Sequence, residues 1–235
     1  MNDYKQATRP LFMAGLLFLV LFMIIGWGVG TKSSWVEAFD MYGIDHIQRF
    51  VAPSLTAFVK VATELGNIRL VIGVTVILVL ILFFKRRFAE GLWLGGTILF
   101  CGAICTKIFK VAFDRDRPDI LQLITKTNES FPSGHATATA LFYGFIGLLI
   151  VLISKRRWKK IAVICITLLW ILFIMLTRIY LGVHFPTDVV AGASFGLASA
   201  LISLAVYIHV RHSLIAFLEK LKLNDESSLL KQRSR

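Results

Sequence analysis

The sequence is poor in the side chains that build a water-soluble surface: 17% of its 235 residues are charged, and only 14 are Asp or Glu. Soluble domains carry about a quarter charged residues, so a free globular domain is excluded. Cysteine is scarce too. The three cysteines, Cys101, Cys105 and Cys165, lie inside apolar segments, odd in number and without zinc spacing, which excludes a disulfide framework and leaves free, buried thiols as the expectation. No internal repeat or low-complexity segment is visible, and the chain 1–235 reads as a single membrane domain.

What the chain has is hydrocarbon, with 57% hydrophobic side chains and a mean hydropathy of +0.74. This composition marks an integral membrane protein. The 26 Lys and Arg give a net charge of +12, which in a soluble protein would suggest nucleic acid. Here they form short clusters between apolar runs, a pattern that orients a protein in a bilayer and implies no nucleic-acid partner.

The apolar runs predict an all-α fold, a bundle of six transmembrane helices at about 10–30, 69–84, 88–113, 136–153, 161–180 and 185–208. The first follows Lys5 and Arg9 as a signal peptide would, but its ~20 apolar residues match a bilayer span and no small-residue cleavage pattern closes it. Residues 31–68 are mixed: Trp35, Phe39, Tyr42, His46 and Phe50 recur at helical spacing among charges, predicting short interfacial helices. The tail 211–235 reads as an interfacial helix giving way to a polar end.

Sixteen of the 26 cations lie at the N-terminus, in the turns around Lys85-Arg86-Arg87 and Lys155-Arg156-Arg157-Trp158-Lys159-Lys160, or in the tail. By the positive-inside rule these are cytoplasmic, with both termini on that side. Three polar stretches, each at the end of an apolar run, then emerge together on the outer face.

In the first, Lys110 and Arg117 are seven apart, so a helix persisting past Phe113 places them on one face before Pro118 stops it. A flexible ammonium and a planar guanidinium suit holding a phosphate from two directions. Arg115, between Asp114 and Asp116, reads as a local surface charge. In the second, Pro132-Ser133-Gly134-His135 opens a helix. The Ser133 hydroxyl and free N–H groups form an anion nest there, with His135 beside it. In the third, Arg178 precedes His184 and Asp188, four apart, so the carboxylate reaches one imidazole nitrogen and leaves the other as nucleophile or base.

Lys110-x6-Arg117-Pro118, Pro132-Ser133-Gly134-His135 and Arg178-x5-His184-x3-Asp188 together resemble the three-part pattern of the type 2 phosphatidic acid phosphatase family of membrane lipid phosphatases. The motifs and helix plan cover roughly residues 10–208. Thr177 stands where the family usually has Ser, keeping the hydroxyl. The resemblance implies a hydrolase of the bacterial-type plasma membrane in which His184, oriented by Asp188, attacks phosphorus. Lys110, Arg117, Arg178, Ser133 and Gly134 would hold the phosphate oxygens, and His135 would protonate the leaving oxygen. It implies phosphatidylglycerol phosphate as first substrate, with undecaprenyl pyrophosphate as the alternative. No metal cluster is visible, so activity without cofactor or divalent ions is expected. A transporter of anions or lipid phosphates is the reading from a different class. The oligomeric state stays open: Gly192, Gly196 and Ser199 form a small-residue stripe that serves helix packing within or between chains.

Overall fold

The structure, a computed structural model, describes residues 3–227, and every element among them is helical. In order these are α1 (Asp3–Gly30), α2 (Ser34–Gln48), α3 (Pro53–Ala62), a 3-10 turn (Thr63–Gly66), α4 (Ile68–Phe84) and α5 (Phe88–Thr97). A π-helical stretch (Ile98–Cys105) leads into α6 (Thr106–Phe113), followed by α7 (Gly134–Ile153), α8 (Arg157–Tyr180) and α9 (Pro186–Lys220).

Five helical runs are long and apolar enough to cross a bilayer: α1, the continuous run Phe88–Phe113, α7, α8 and α9. The sixth is α4. Its 17 residues span ~25 Å at 1.5 Å per residue, less than the roughly 30 Å hydrocarbon core. It qualifies together with Pro53–Gly66, from which it bends by 43°. The protein is thus an all-α membrane protein, a bundle of spans carrying short interfacial helices.

The helix starts are written in the sequence. Asn67 caps α4 by accepting from the Arg69 N–H, Ser133 caps α7 through the Ala136 N–H, and Pro53 and Pro186 open α3 and α9, where a missing N–H costs nothing. The Asp188 carboxylate reaches back to the Phe185 N–H at 2.9 Å. The ends are less predictable. The last helix does not stop near 208 but runs unbroken to Lys220, so the first part of the tail prolongs the span. The stretch after it folds back, the Glu226 N–H donating to Arg86 O and Asp225 accepting from the Ala89 N–H. The tail beyond 227 lies outside the described residues. The expectation of three buried thiols also fails: Cys101 and Cys105 are half-buried and Cys165, on α8, is exposed.

The axis of the bundle is α9, which packs on α1 and α7. Close approach needs glycine at two points: a Cβ at Gly192 would meet Ser133 O at 2.6 Å, and one at Gly196 would meet Thr137 O at 2.5 Å. The small-residue stripe therefore serves packing of α9 on α7 within the chain. Near the motif end Phe22, Phe109, Phe113, Phe131 and Phe195 cluster. Phe131, fully buried against Phe22 and Phe113, anchors the loop that begins α7.

Candidate active site

The C-terminal end of α6 and α8 and the N-terminal end of α7 and α9 meet at the end of the bundle opposite the two basic turns. All three motif stretches lie there. The buried polar residues concentrate in the same place: Ser130, Ser133, Arg178, His184, Thr187 and Asp188 are each no more than 3% exposed. Desolvating this many polar groups is costly unless they are partnered, so their concentration makes this bundle end the candidate site.

His184 sits in the α8–α9 connection, with Asp188 one turn into α9. Its Nδ1 is 3.4 Å from Asp188 Oδ2. Between them stands a residue that the sequence reading missed: Ser130 Oγ donates to Asp188 Oδ2 and lies 3.3 Å from His184 Nδ1. Since that hydroxyl gives its single proton to the carboxylate, it faces the imidazole as an acceptor, and Nδ1 carries the hydrogen. On the other side of the ring Arg117 Nη1 is 3.3 Å from Nε2. Burial, together with Arg117, Arg178 and Lys110, holds the His184 imidazole well below its usual range and therefore neutral.

Lys110 and Arg117 do converge, but not by sharing a helix face. The helix ends at Phe113, with Asp114 in the left-handed region at φ 43°, and Arg117 arrives through the loop that follows. The two meet on the same backbone: Lys110 Nζ and Arg117 Nη2 both donate to Glu129 O. Lys110 also reaches Ser130 O, and Arg117 is held by Asn128 and Val183 O. Burial pulls the Arg117 guanidinium down from its usual range, while Asp188 and Glu129 oppose this.

Ser133 is completely buried, its N–H donating to Asp188 O at 3.0 Å and its hydroxyl oxygen capping α7. It builds the nest rather than lining it. Its capping leaves the N–H groups of Gly134 and His135 without intrahelical partners, and a Cβ at Gly134 would meet nothing within 4 Å. An anion has room beside those two N–H groups and the positive end of the α7 dipole. His135 Nε2 is buried without a hydrogen-bond partner among the described residues.

Arg178, 1% exposed, donates to Thr63 Oγ1 at 3.0 Å, and its Nε is likewise unpartnered among the described residues. Thr63 belongs to the 3-10 turn, so the interfacial region contributes to the site. The Thr177 hydroxyl is 2.9 Å from the same Thr63 oxygen, so the Thr found where Ser was expected keeps a supporting contact.

Arg115 corrects the sequence reading most sharply. It is no local surface charge: its Nη1 pairs with Asp188 Oδ1 at 2.7 Å and its Nη2 with Asp40 Oδ2 at 2.6 Å.

Lys110, Arg117, Arg178 and the N-terminus of α7 thus converge on the bundle end where a buried imidazole is backed by a carboxylate. Residues 90–211 match the family model of the PAP2 superfamily. The chain belongs to that family. It is 34% identical over 149 residues to phosphatidylglycerophosphatase B of Bacillus subtilis, covering 62% of this chain and 71% of that protein. It is 31% identical over 127 residues to the lipid A 1-phosphatase of Rhizobium etli, covering 50% of each. The crystal structure of a transmembrane PAP2-type phosphatidylglycerolphosphate phosphatase from Bacillus subtilis superposes with a TM-score of 0.70 at 25% identity, covering 84% of this chain and 96% of that one. The protein is a multi-pass membrane phosphatase, a phosphoric monoester hydrolase of the PAP2 type acting on lipid phosphates. Among the described residues no group of three or more His, Cys, Asp and Glu is arranged to hold a metal ion.

Proposed function

We propose that the enzyme dephosphorylates phosphatidylglycerol phosphate to phosphatidylglycerol at the outer face of a bacterial-type plasma membrane, through a phosphohistidine on His184. The observation that carries this reading is the position of His184: Nδ1 faces Asp188 and Ser130, and Nε2 faces a cation that a phosphate oxygen can take over. Lys110, Arg117, Arg178 and the N–H groups of Gly134 and His135 hold the three non-bridging oxygens and offset the charge that grows on them. The Nε2 lone pair forms a bond to phosphorus as the bond to the lipid oxygen breaks. The departing electron pair stays on that oxygen, and protonated His135 supplies its proton. Neutral His135 then takes a proton from water, whose oxygen attacks phosphorus. The P–N bond returns its electron pair to His184, and inorganic phosphate leaves.

With three fixed cations at the phosphate, the mechanism needs no divalent ion. Both termini are cytoplasmic in this reading, because the basic turns lie at the bundle end opposite the site. That orientation favours undecaprenyl pyrophosphate as a second substrate, since a recycled carrier lipid presents its phosphates outside. The identity to phosphatidylglycerophosphatase B favours the first.

The test is inorganic phosphate release by purified protein in detergent with EDTA, on both lipids in parallel, with His184→Ala as control. Release lost in the variant supports the histidine mechanism, and the ratio of kcat/KM values ranks the substrates. Turnover surviving His184→Ala overturns it.

A further inference from the structure

We infer that Arg115 is a positioning residue for the hydrolysis, braced by Asp40 of α2 so that it sets the plane of the Asp188 carboxylate and thereby the aim of His184. The inference rests on the reading of His184 as nucleophile.

The contacts form a closed ring. Arg115 Nη1 donates to Asp188 Oδ1 and to Thr187 Oγ1, each at 2.7 Å, and Nη2 donates to Asp40 Oδ2 at 2.6 Å. The Thr187 hydroxyl donates on to Asp40 Oδ2 at 2.9 Å, and the Thr187 N–H donates to Asp40 Oδ1 at 2.8 Å. Both carboxylates are buried, Asp40 at 2% and Asp188 at 0% exposure, so neither has water to replace a lost partner. The guanidinium also lies over the Phe185 ring, 4.2 Å from its centroid. Its plane is fixed on three sides.

The ring reaches His184 by two routes. Through its side chain Arg115 occupies Oδ1 of Asp188, leaving Oδ2 for Ser130, the Phe185 N–H and His184. Through its carbonyl Arg115 accepts from the Ser130 N–H at 2.8 Å, and Ser130 is the hydroxyl that stands against Nδ1. A single residue thus holds both groups that orient the imidazole. The other side of the ring belongs to Arg117, and Arg178 and Lys110 act on it electrostatically. Arg115 is therefore a cation at the site that serves the nucleophile's support instead of the phosphate.

Asp40 gives α2 its part. It lies 75 positions from Arg115 in sequence, on an interfacial helix that holds no motif residue, and it faces inward between Val36 and Ile44, which are buried on the same helix.

The experiment is steady-state phosphate release by the full chain in detergent, on whichever lipid phosphate the wild type turns over faster, with inorganic phosphate as competitive inhibitor. His184→Ala is run alongside. Arg115→Gln is expected to lower kcat by ~100-fold, the scale of a small misplacement of a reacting group, with KM and the phosphate inhibition constant within about twofold of wild type. Arg115→Lys keeps one arm and its charge and falls between. Asp40→Asn is expected to lose ~10-fold in kcat and to add nothing to Arg115→Gln, since it acts through the same guanidinium. Size-exclusion profile and melting temperature check folding. Should Arg115→Gln not fold, Arg115→Lys and Asp40→Asn carry the same kcat-against-KM test. A raised KM and weaker phosphate inhibition at unchanged kcat would make Arg115 a substrate-binding cation and overturn the inference. Wild-type kcat in Arg115→Lys and Asp40→Asn would overturn it too. Turnover surviving in His184→Ala would instead sink the nucleophile reading on which it rests.

Discussion

Arg117 Nη1 lies 3.3 Å from His184 Nε2, and a guanidinium has only hydrogens to offer. The nitrogen facing it therefore presents a lone pair. The Ser130 hydroxyl, which donates to Asp188 and lies 3.3 Å from Nδ1, demands the same tautomer from the other side of the ring. Two independent contacts place the proton on Nδ1 and leave the lone pair on Nε2. In the proposed mechanism a phosphate entering the site takes over the Arg117 donor and exposes that lone pair to phosphorus.

Burial and three neighbouring cations depress the His184 imidazole, whereas in the unfolded chain it titrates at about 6.5. The unfolded state therefore binds the extra proton below that pH, and this contribution to stability falls progressively as pH drops from about 6.5. Nitrogen-15 NMR of the histidine rings in detergent should find His184 neutral, with Nδ1 protonated, at pH 5.5. An imidazolium signal for His184 at that pH refutes the assignment.

Ser130→Ala removes the hydroxyl that spans Asp188 and His184 without removing either. The Phe185 N–H and Arg115 still hold the carboxylate, so the expected loss is moderate, ~10-fold in kcat or about 1.4 kcal/mol in the barrier. Phosphate release kinetics decide this. A loss as large as that of Asp188→Asn would mean that Ser130 takes a direct part in the chemistry.

Thr63 supports Arg178 from a different part of the chain. In Thr63→Val the Arg178 Nη1 loses its acceptor in a buried setting, a cost of ~1–3 kcal/mol, and kcat/KM should fall by roughly 10- to 100-fold. Thr63→Ser keeps the oxygen and should stay within a few-fold of wild type. Equal activity in both variants would show that Arg178 is held without the 3-10 turn.

Gly192→Ala tests the closeness of α7 and α9. Its Cβ would approach Ser133 O at 2.6 Å, and pushing the helices apart moves Asp188 relative to the α7 N-terminus. A loss of ~1–3 kcal/mol in stability and of ~100-fold in activity is expected. Gly73 is the control: a Cβ there meets nothing within 4 Å, and Gly73→Ala should leave activity intact while adding ~0.5–1 kcal/mol to stability. Melting temperatures and turnover of the pair separate packing at the site from a general effect of glycine replacement.

Hydropathy and charge determined much of this protein from sequence alone. A run of ~20 apolar residues has few alternatives to a spanning helix, and Ser133 and Pro186 act within one turn, so the starts of α5, α7 and α9 and the three motif ends were legible. In contrast, α1 and α8 begin at Asp3 and Arg157, ahead of the expected 10 and 161, because their basic flanks also take helical conformation. The pairing of His184 with Asp188 was legible for the same reason. Tertiary structure decided what supports them. Arg115 lies between two aspartates in sequence and reads as locally balanced, yet its partners are Asp40, Thr187 and Asp188. Thr63 meets Arg178 across 115 positions, and Lys110 on α6 meets Arg117 from the following loop on the carbonyl of Glu129. Such contacts have no periodicity and no local signal, because they form only where the ends of separate helices are packed together and desolvated, and a buried polar group must find whichever partner that packing supplies.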